Sequence, residues 1–206
     1  RDDTPAETLL LAIRAARRAV AHDPHDATAH LYLGDGYLRL RRDTRERAWG
    51  GKLSELARLR QAQASEALNR AVQLDPELAQ AHNGLAALYG ELAYWDLALK
   101  HRRAYVELQK KQGAGNFEKT LELSPQLERE LEELAQAVQG FEKWHAENAA
   151  GALVLERARL AAQKGLAAKA RRMLEESNIA AFGRQGMALE LELFLRTGRA
   201  KDVREW

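Results

Sequence analysis

Six histidines, a run of carboxylates and a cluster of arginines are the side chains in this 206-residue chain whose types could support chemistry. His22 and His25 flank Pro24, but a metal there would need further ligands that the turn does not clearly supply. His30 and His82 stand in matching surroundings, which favours packing over a unique reaction. His101 adjoins Arg102 and Arg103, and His145 closes an apolar seam; neither has a base or nucleophile beside it in sequence. Glu118, Glu122, Glu128, Glu130, Glu132 and Glu133 against Lys119 and Arg129 leave that region at net −4. Paired catalytic acids need burial to shift their protonation, whereas this run reads as a solvated acidic face or a surface for a basic partner.

The opposite charge lies between residues 39 and 60. Arg39, Arg41, Arg42, Arg45, Arg47, Lys52, Arg58 and Arg60, less Asp43, Glu46 and Glu55, leave net +5 within 22 residues, with Trp49 among them. Arginine grips carboxylate or phosphate with a planar fork, and an exposed tryptophan can anchor a contact. Arg41, Arg42, Arg45, Arg47, Trp49 and Lys52 are therefore candidates for an anionic partner or nucleic acid, and solvated helix faces are the bland alternative.

No phosphate loop, His-Glu-x-x-His helix or Gly-x-Ser-x-Gly elbow occurs, and Gly113-Ala114-Gly115 lacks both a preceding strand and a third glycine. With no cysteine, disulfides, thiolate metal sites and cysteine nucleophiles are excluded. The sequence thus indicates no catalytic residue, no metal and no cofactor. A net charge of +2 gives no global field for nucleic acid, and no apolar run is long enough to span a membrane. Lack of cysteine suits the cytoplasm and also a periplasm. Beginning at Arg1 and ending at Trp206, the chain reads as a piece of a longer protein.

The elements that hold these residues are helices punctuated by proline and glycine. Thr4-Pro5-Ala6-Glu7 starts a helix that runs to about His22, where Asp23-Pro24 stops it; Asp75-Pro76 repeats that stop. Residues 30–37, HLYLGDGY, and 82–89, HNGLAALY, align without a gap, each His six residues after a proline. Ahead of the prolines, Ala12, Ala16 and Ala19 match Ala64, Leu68 and Ala71, small side chains that let antiparallel helices approach closely.

This pattern resembles the tetratricopeptide repeat family, most strongly over Ala79–Gln112, where Leu85, Ala86, Tyr89, Trp95, Ala98 and Tyr105 are in register. His30 and His82 depart from it where tryptophan is common, as does Arg102 where a large apolar residue is usual. Val154, Ala158, Ala161, Gly165, Ala170 and Leu174 fit more loosely, as do Met187, Leu191, Phe194, Gly198 and Val203. The resemblance implies an all-α, right-handed superhelical solenoid of antiparallel helix pairs. Its units fall at 1–26 (partial), 27–78 (expanded), 79–112 (regular), 113–148 (degenerate), 149–182 (loose) and 183–206 (truncated).

Pro24 and Pro76 lie 52 residues apart, 18 more than one 34-residue period. The surplus reads as an elongated hairpin over about 38–64, each helix growing by about nine residues toward Gly50-Gly51 and projecting roughly 13 Å. Leu127, Leu131, Leu134, Val138, Phe141 and His145 form a narrow seam for a neighbouring or partner helix.

By resemblance, the first helix of each pair lines a concave groove that holds a peptide, helix or protein surface without chemical change. That nominates Leu31, Asp35, Leu38, Arg39, Gln80, Asn83, Ala87 and Glu91, and further on Arg159 and Gln163. Chaperone-binding members grip a C-terminal carboxylate with lysine, asparagine and arginine; Leu31 and Ala87 stand where such polar groups would be needed, so acidic chaperone tails are not expected to bind. The remaining alternatives are an interaction segment of a larger enzyme or membrane protein, anion or nucleic-acid binding through residues 39–60, and self-association through the solenoid ends.

Overall fold

The computed structural model describes residues 5–44, 46, 54–114, 125–177 and 183–196. Among these residues the chain is all-helical: α1 (Ala6–His22), α2 (Ala27–Asp43), α3 (Ser54–Leu74), α4 (Ala79–Glu91), α5 (Trp95–Ala114), α6 (Pro125–Asn148), α7 (Val154–Gln163), α8 (Ala167–Glu175) and α9 (Gly183–Arg196). The chain divides into two compact units, residues 1–88 with 194–206 and residues 89–193.

In the first unit, α1 turns Leu9, Ile13 and Ala16 inward and packs on α2, which packs in turn on α3. Small residues set the spacing. A Cβ on Gly36 would fall 2.8 Å from Ile13 Cγ1, and one on Gly34 would fall 2.6 Å from Leu68 Cγ. Gly84 on α4 also approaches Leu68, at 3.1 Å from Cδ1, so one leucine is seated against glycines of two helices. Leu68 is 1% exposed, and burying a side chain of that size stabilises the fold by about 1.5–3 kcal/mol. Ala64, Ala67, Ala71, Ala79 and Ala81 complete a core built on close backbone approach.

Two turns in this unit share a set of hydrogen bonds, although Asp26 also caps α2 by accepting from Ala29 N, where the equivalent Leu78 has no side-chain acceptor. Asp23 N donates to Ala19 O at 2.8 Å, and Asp75 N donates to Ala71 O at 2.9 Å. The Asp23 and Asp75 carboxylates accept from His25 N and Glu77 N, each at 2.9 Å. Finally, His30 Nε2 meets Pro24 O at 3.2 Å and His82 Nε2 meets Pro76 O at 3.1 Å. Proline ends each helix and cannot donate, and the ring six residues on satisfies its carbonyl. These two histidines are fasteners of the turns.

Within the stretch expected to form the elongated hairpin, α2 is interrupted at Thr44, and Glu46 just beyond is helical. α2 ends at Asp43, well short of Gly50, because Thr44 is extended (φ −119°, ψ 179°). Its Oγ1 donates to Leu40 O at 2.5 Å and accepts from Glu46 N at 3.1 Å, a local pairing that competes with another helical turn. Arg45, Arg47, Trp49, Gly50, Gly51 and Lys52 lie outside the described residues, as does Thr4 at the expected start of α1.

In the second unit, α5 packs against α6 and α8, and α7 pairs with α8. The turns after α4 and α7 are the same device. Tyr94 N donates to Tyr89 O and Ala93 N to Gly90 O; Leu166 N donates to Ala161 O and Gly165 N to Ala162 O. Both are Schellman closures, which require a left-handed residue at the bend. Gly165 supplies it at φ 79°, whereas Ala93 adopts φ 55° with a Cβ. Ala93→Gly is therefore expected to raise stability by about 0.5–1 kcal/mol, the left-handed cost relieved less the entropy of an added glycine. Urea denaturation checks this.

The α6 seam is used within the unit. Val138 and His145 are buried, Leu127, Leu131, Leu134 and Phe141 half-buried, and His145 Nε2 meets Arg157 O at 2.9 Å. Lys164 Nζ lies 4.2 Å from the centre of the Trp144 ring. Glu128, Glu130, Glu132 and Glu133 are exposed, and Glu118 and Glu122 lie outside the described residues. On α9 the buried residues are Gly186, Glu190, Leu193 and Phe194, while Met187 and Leu191 are each 42% exposed. Of the template residues on α9, Phe194 is buried, whereas Met187 and Leu191 face outward and Glu190 takes an inward place that an apolar pattern does not show. Burial, and secondarily Glu175, pushes the Glu190 carboxyl above its ordinary pKa.

Candidate functional site

Along α2 of the first unit, Thr28, Tyr32, Asp35 and Arg39 recur at helical spacing and all are exposed. Leu31 beside them is half-buried. Leu38 is 3% exposed, so this residue, expected in the groove, belongs to the core instead. On α4, Gln80 and Asn83 are exposed and Ala87 is half-buried; Glu91, at the end of the same helix, is exposed. Tyr32 is absent from the sequence candidates, yet at 64% exposure it is the largest accessible apolar surface on the α2 stripe. The repeat alignment sets it opposite Gly84, which hides it. Arg39 is held on the surface by Asp43 at 3.4 Å and Asp35 at 4.0 Å. Farther along the chain, Arg159 is half-buried and bonds Gln185 Oε1 at 3.1 Å, whereas Gln163 is exposed.

The described part of the basic hairpin is largely compensated by its own carboxylates. Arg60 grips Glu46 with two bonds, Nε to Oε2 and Nη2 to Oε1, each 3.1 Å, with the side chains only 17% and 15% exposed. Arg58 meets Glu55 at 3.4 Å. Arg41 and Arg42 are half-buried, and burial lowers both guanidinium pKa values; the neighbouring Arg42 charge adds to the effect at Arg41. A phosphate backbone is bound through several accessible cations at once, and this stretch directs much of its charge inward.

Among the described residues, two clefts stand out on the surface. One, of about 400 Å³ in the first unit, is lined by Val20, Pro24, His30, Leu33 and Tyr37 and by Gln63, Glu66, Ala67 and Arg70 of α3. The other, of about 600 Å³ in the second unit, lies between α5 and α6, where Lys100, Arg103 and Glu107 face Gln139 and Glu142. Asp96 sits at its end but is already engaged. Its Oδ1 accepts from Leu97 N at 2.8 Å, and its Oδ2 accepts from Lys169 N at 3.1 Å. Leu166, at the N-cap of α8, offers no side-chain acceptor, so a carboxylate 73 residues away caps that helix. Burial pushes the Asp96 carboxyl above its ordinary pKa, opposed by these backbone N–H groups.

Among the described residues no group of three or more His, Asp or Glu side chains is placed to hold a metal ion. No helix among them is long and apolar enough to cross a membrane. In comparison with protein-family models, curated proteins and solved structures, nothing matches the chain.

Proposed function

We propose that this chain is a non-catalytic protein-interaction scaffold, a tetratricopeptide-like array of antiparallel helix pairs that holds a peptide, helix or protein surface against α2 and α4. The observation that carries the reading is the pair of Asp-Pro turns 52 residues apart with matching hydrogen bonds, including both histidine fasteners. Such duplication is what a repeat unit reused along a stack produces, and stacked repeats offer an extended surface for partners. Tyr32 supplies an aromatic anchor, Asp35 and Arg39 supply charge, and Gln80 and Asn83 supply amides for a partner's backbone.

The test is a three-site variant, Tyr32→Ala, Asp35→Ala and Asn83→Ala, compared with the parent chain for a partner recovered by affinity purification. Affinity should fall at least about tenfold, roughly 1.4 kcal/mol, with the helical circular dichroism unchanged. Undiminished affinity in the folded variant would place the binding surface elsewhere.

A further inference from the structure

The cleft over Tyr37 has a counterpart elsewhere in the chain that is filled. Tyr37 and Tyr89 end the two aligned motifs, and both rings are buried, at 4% and 1% exposure. In the second unit the His101 ring lies against Tyr89, centroids 5.6 Å apart and planes tilted by 37°, and is itself 5% exposed. One 34-residue period earlier than His101 stands Ala67, and one period earlier than Leu97 stands Gln63. Where one tyrosine has an imidazole beside it, the other has a methyl group and a cleft of about 400 Å³.

The cleft is also organised for a ring. Arg17 Nε donates to the Tyr37 hydroxyl at 2.8 Å, with the Arg17 Nη2 contact alongside, and this fixes the phenol from the α1 side. Val20, Pro24 and Leu33 form apolar walls. Gln63, Glu66 and Arg70 line it from α3 at helical spacing and add polar groups to the apolar walls. Mostly apolar walls with a few converging polar groups are the usual make-up of a recognition pocket.

We propose that this cleft is a second binding site, which takes a tryptophan or histidine side chain of a protein partner and seats its ring beside Tyr37 as His101 sits beside Tyr89. The site is separate from the α2 and α4 stripe and does not depend on it. Buried aromatic side chains carry a large share of interface energy, so one ring in such a cleft would anchor a flexible peptide.

The experiment is a backbone-amide NMR titration of the whole chain with N-acetyltryptophanamide, N-acetylhistidinamide and free indole. Saturable shifts are expected around Leu33, Tyr37, Ala67 and Arg70 with at least one blocked amino acid. Ala67→His and Ala67→Leu, each checked for folding by circular dichroism, should weaken that binding by at least about tenfold because the introduced side chain fills the space. Asp35→Ala and Asn83→Ala should leave it intact, which separates this site from the proposed groove. The proposal fails if no blocked amino acid binds saturably, if only free indole binds, or if folded Ala67 variants bind as the parent does.

Discussion

Replacing Gly165 by alanine is expected to cost about 2–5 kcal/mol of stability, a large effect for the addition of one methyl group. Two independent terms add. At φ 79° a side chain pays the left-handed penalty of about 1–2 kcal/mol. The new Cβ would also lie 2.1 Å from Ala93 O and 2.5 Å from Trp95 Cδ1, where no atom fits and the nearest neighbour is backbone. The bend after α7 must therefore move away from the bend after α4, and both Schellman closures are disturbed. Urea unfolding followed by circular dichroism checks this, with Gly140→Ala as the control. Gly140 is an exposed residue inside α6, and an added methyl group there would have nothing within 4 Å, so alanine should stabilise by about 0.5–1 kcal/mol. A Gly165→Ala chain within about 1 kcal/mol of the parent would contradict the account of the stacked turns.

Asp96→Ala is expected to cost about 2–3 kcal/mol, because it removes a helix cap and leaves the Lys169 N–H without its acceptor. Asp96→Asn should cost less, since an amide oxygen still accepts. The two variants also separate the cap from its charge. Burial holds the Asp96 carboxyl above its unfolded value, so the folded chain binds the proton more tightly than the unfolded chain does. The stability contributed by that proton is fully present below the unfolded pKa, about 3.9, and is lost as pH rises through the raised folded value. The parent should therefore gain on Asp96→Asn as pH is lowered through this acid window. A difference between parent and Asp96→Asn that is flat with pH would show that the carboxyl titrates alike in both states.

Much of the helical layout is legible in the sequence because its signals are local. Proline at 24 and 76 stops α1 and α3, and Pro125 opens α6. The equivalence of His30 and His82 is readable from spacing, although the Pro24 and Pro76 carbonyls they bond are not. What escapes reading depends on distant or atypical partners. Asp96 looks like an ordinary first-turn acid of α5, and nothing near it in sequence points to α8. Leu38 falls on a nominal groove position but is drawn into the core, and Thr44 ends α2 through its own hydroxyl. Of the groove candidates, Asp35, Arg39, Gln80, Asn83 and Glu91 are exposed, while the aromatic beside them, Tyr32, escapes notice because its partner in the alignment is glycine.

Site-specific photo-cross-linking tests the scaffold reading most directly. Benzoylphenylalanine would replace Asp35, Gln80 or, as a control, exposed Lys143 on α6, with the whole chain irradiated in an extract of the cells that make it. Protein adducts at positions 35 and 80 that are absent at 143 are the expected result. Adducts equal at all three positions, or absent at 35 and 80, would contradict partner binding through α2 and α4.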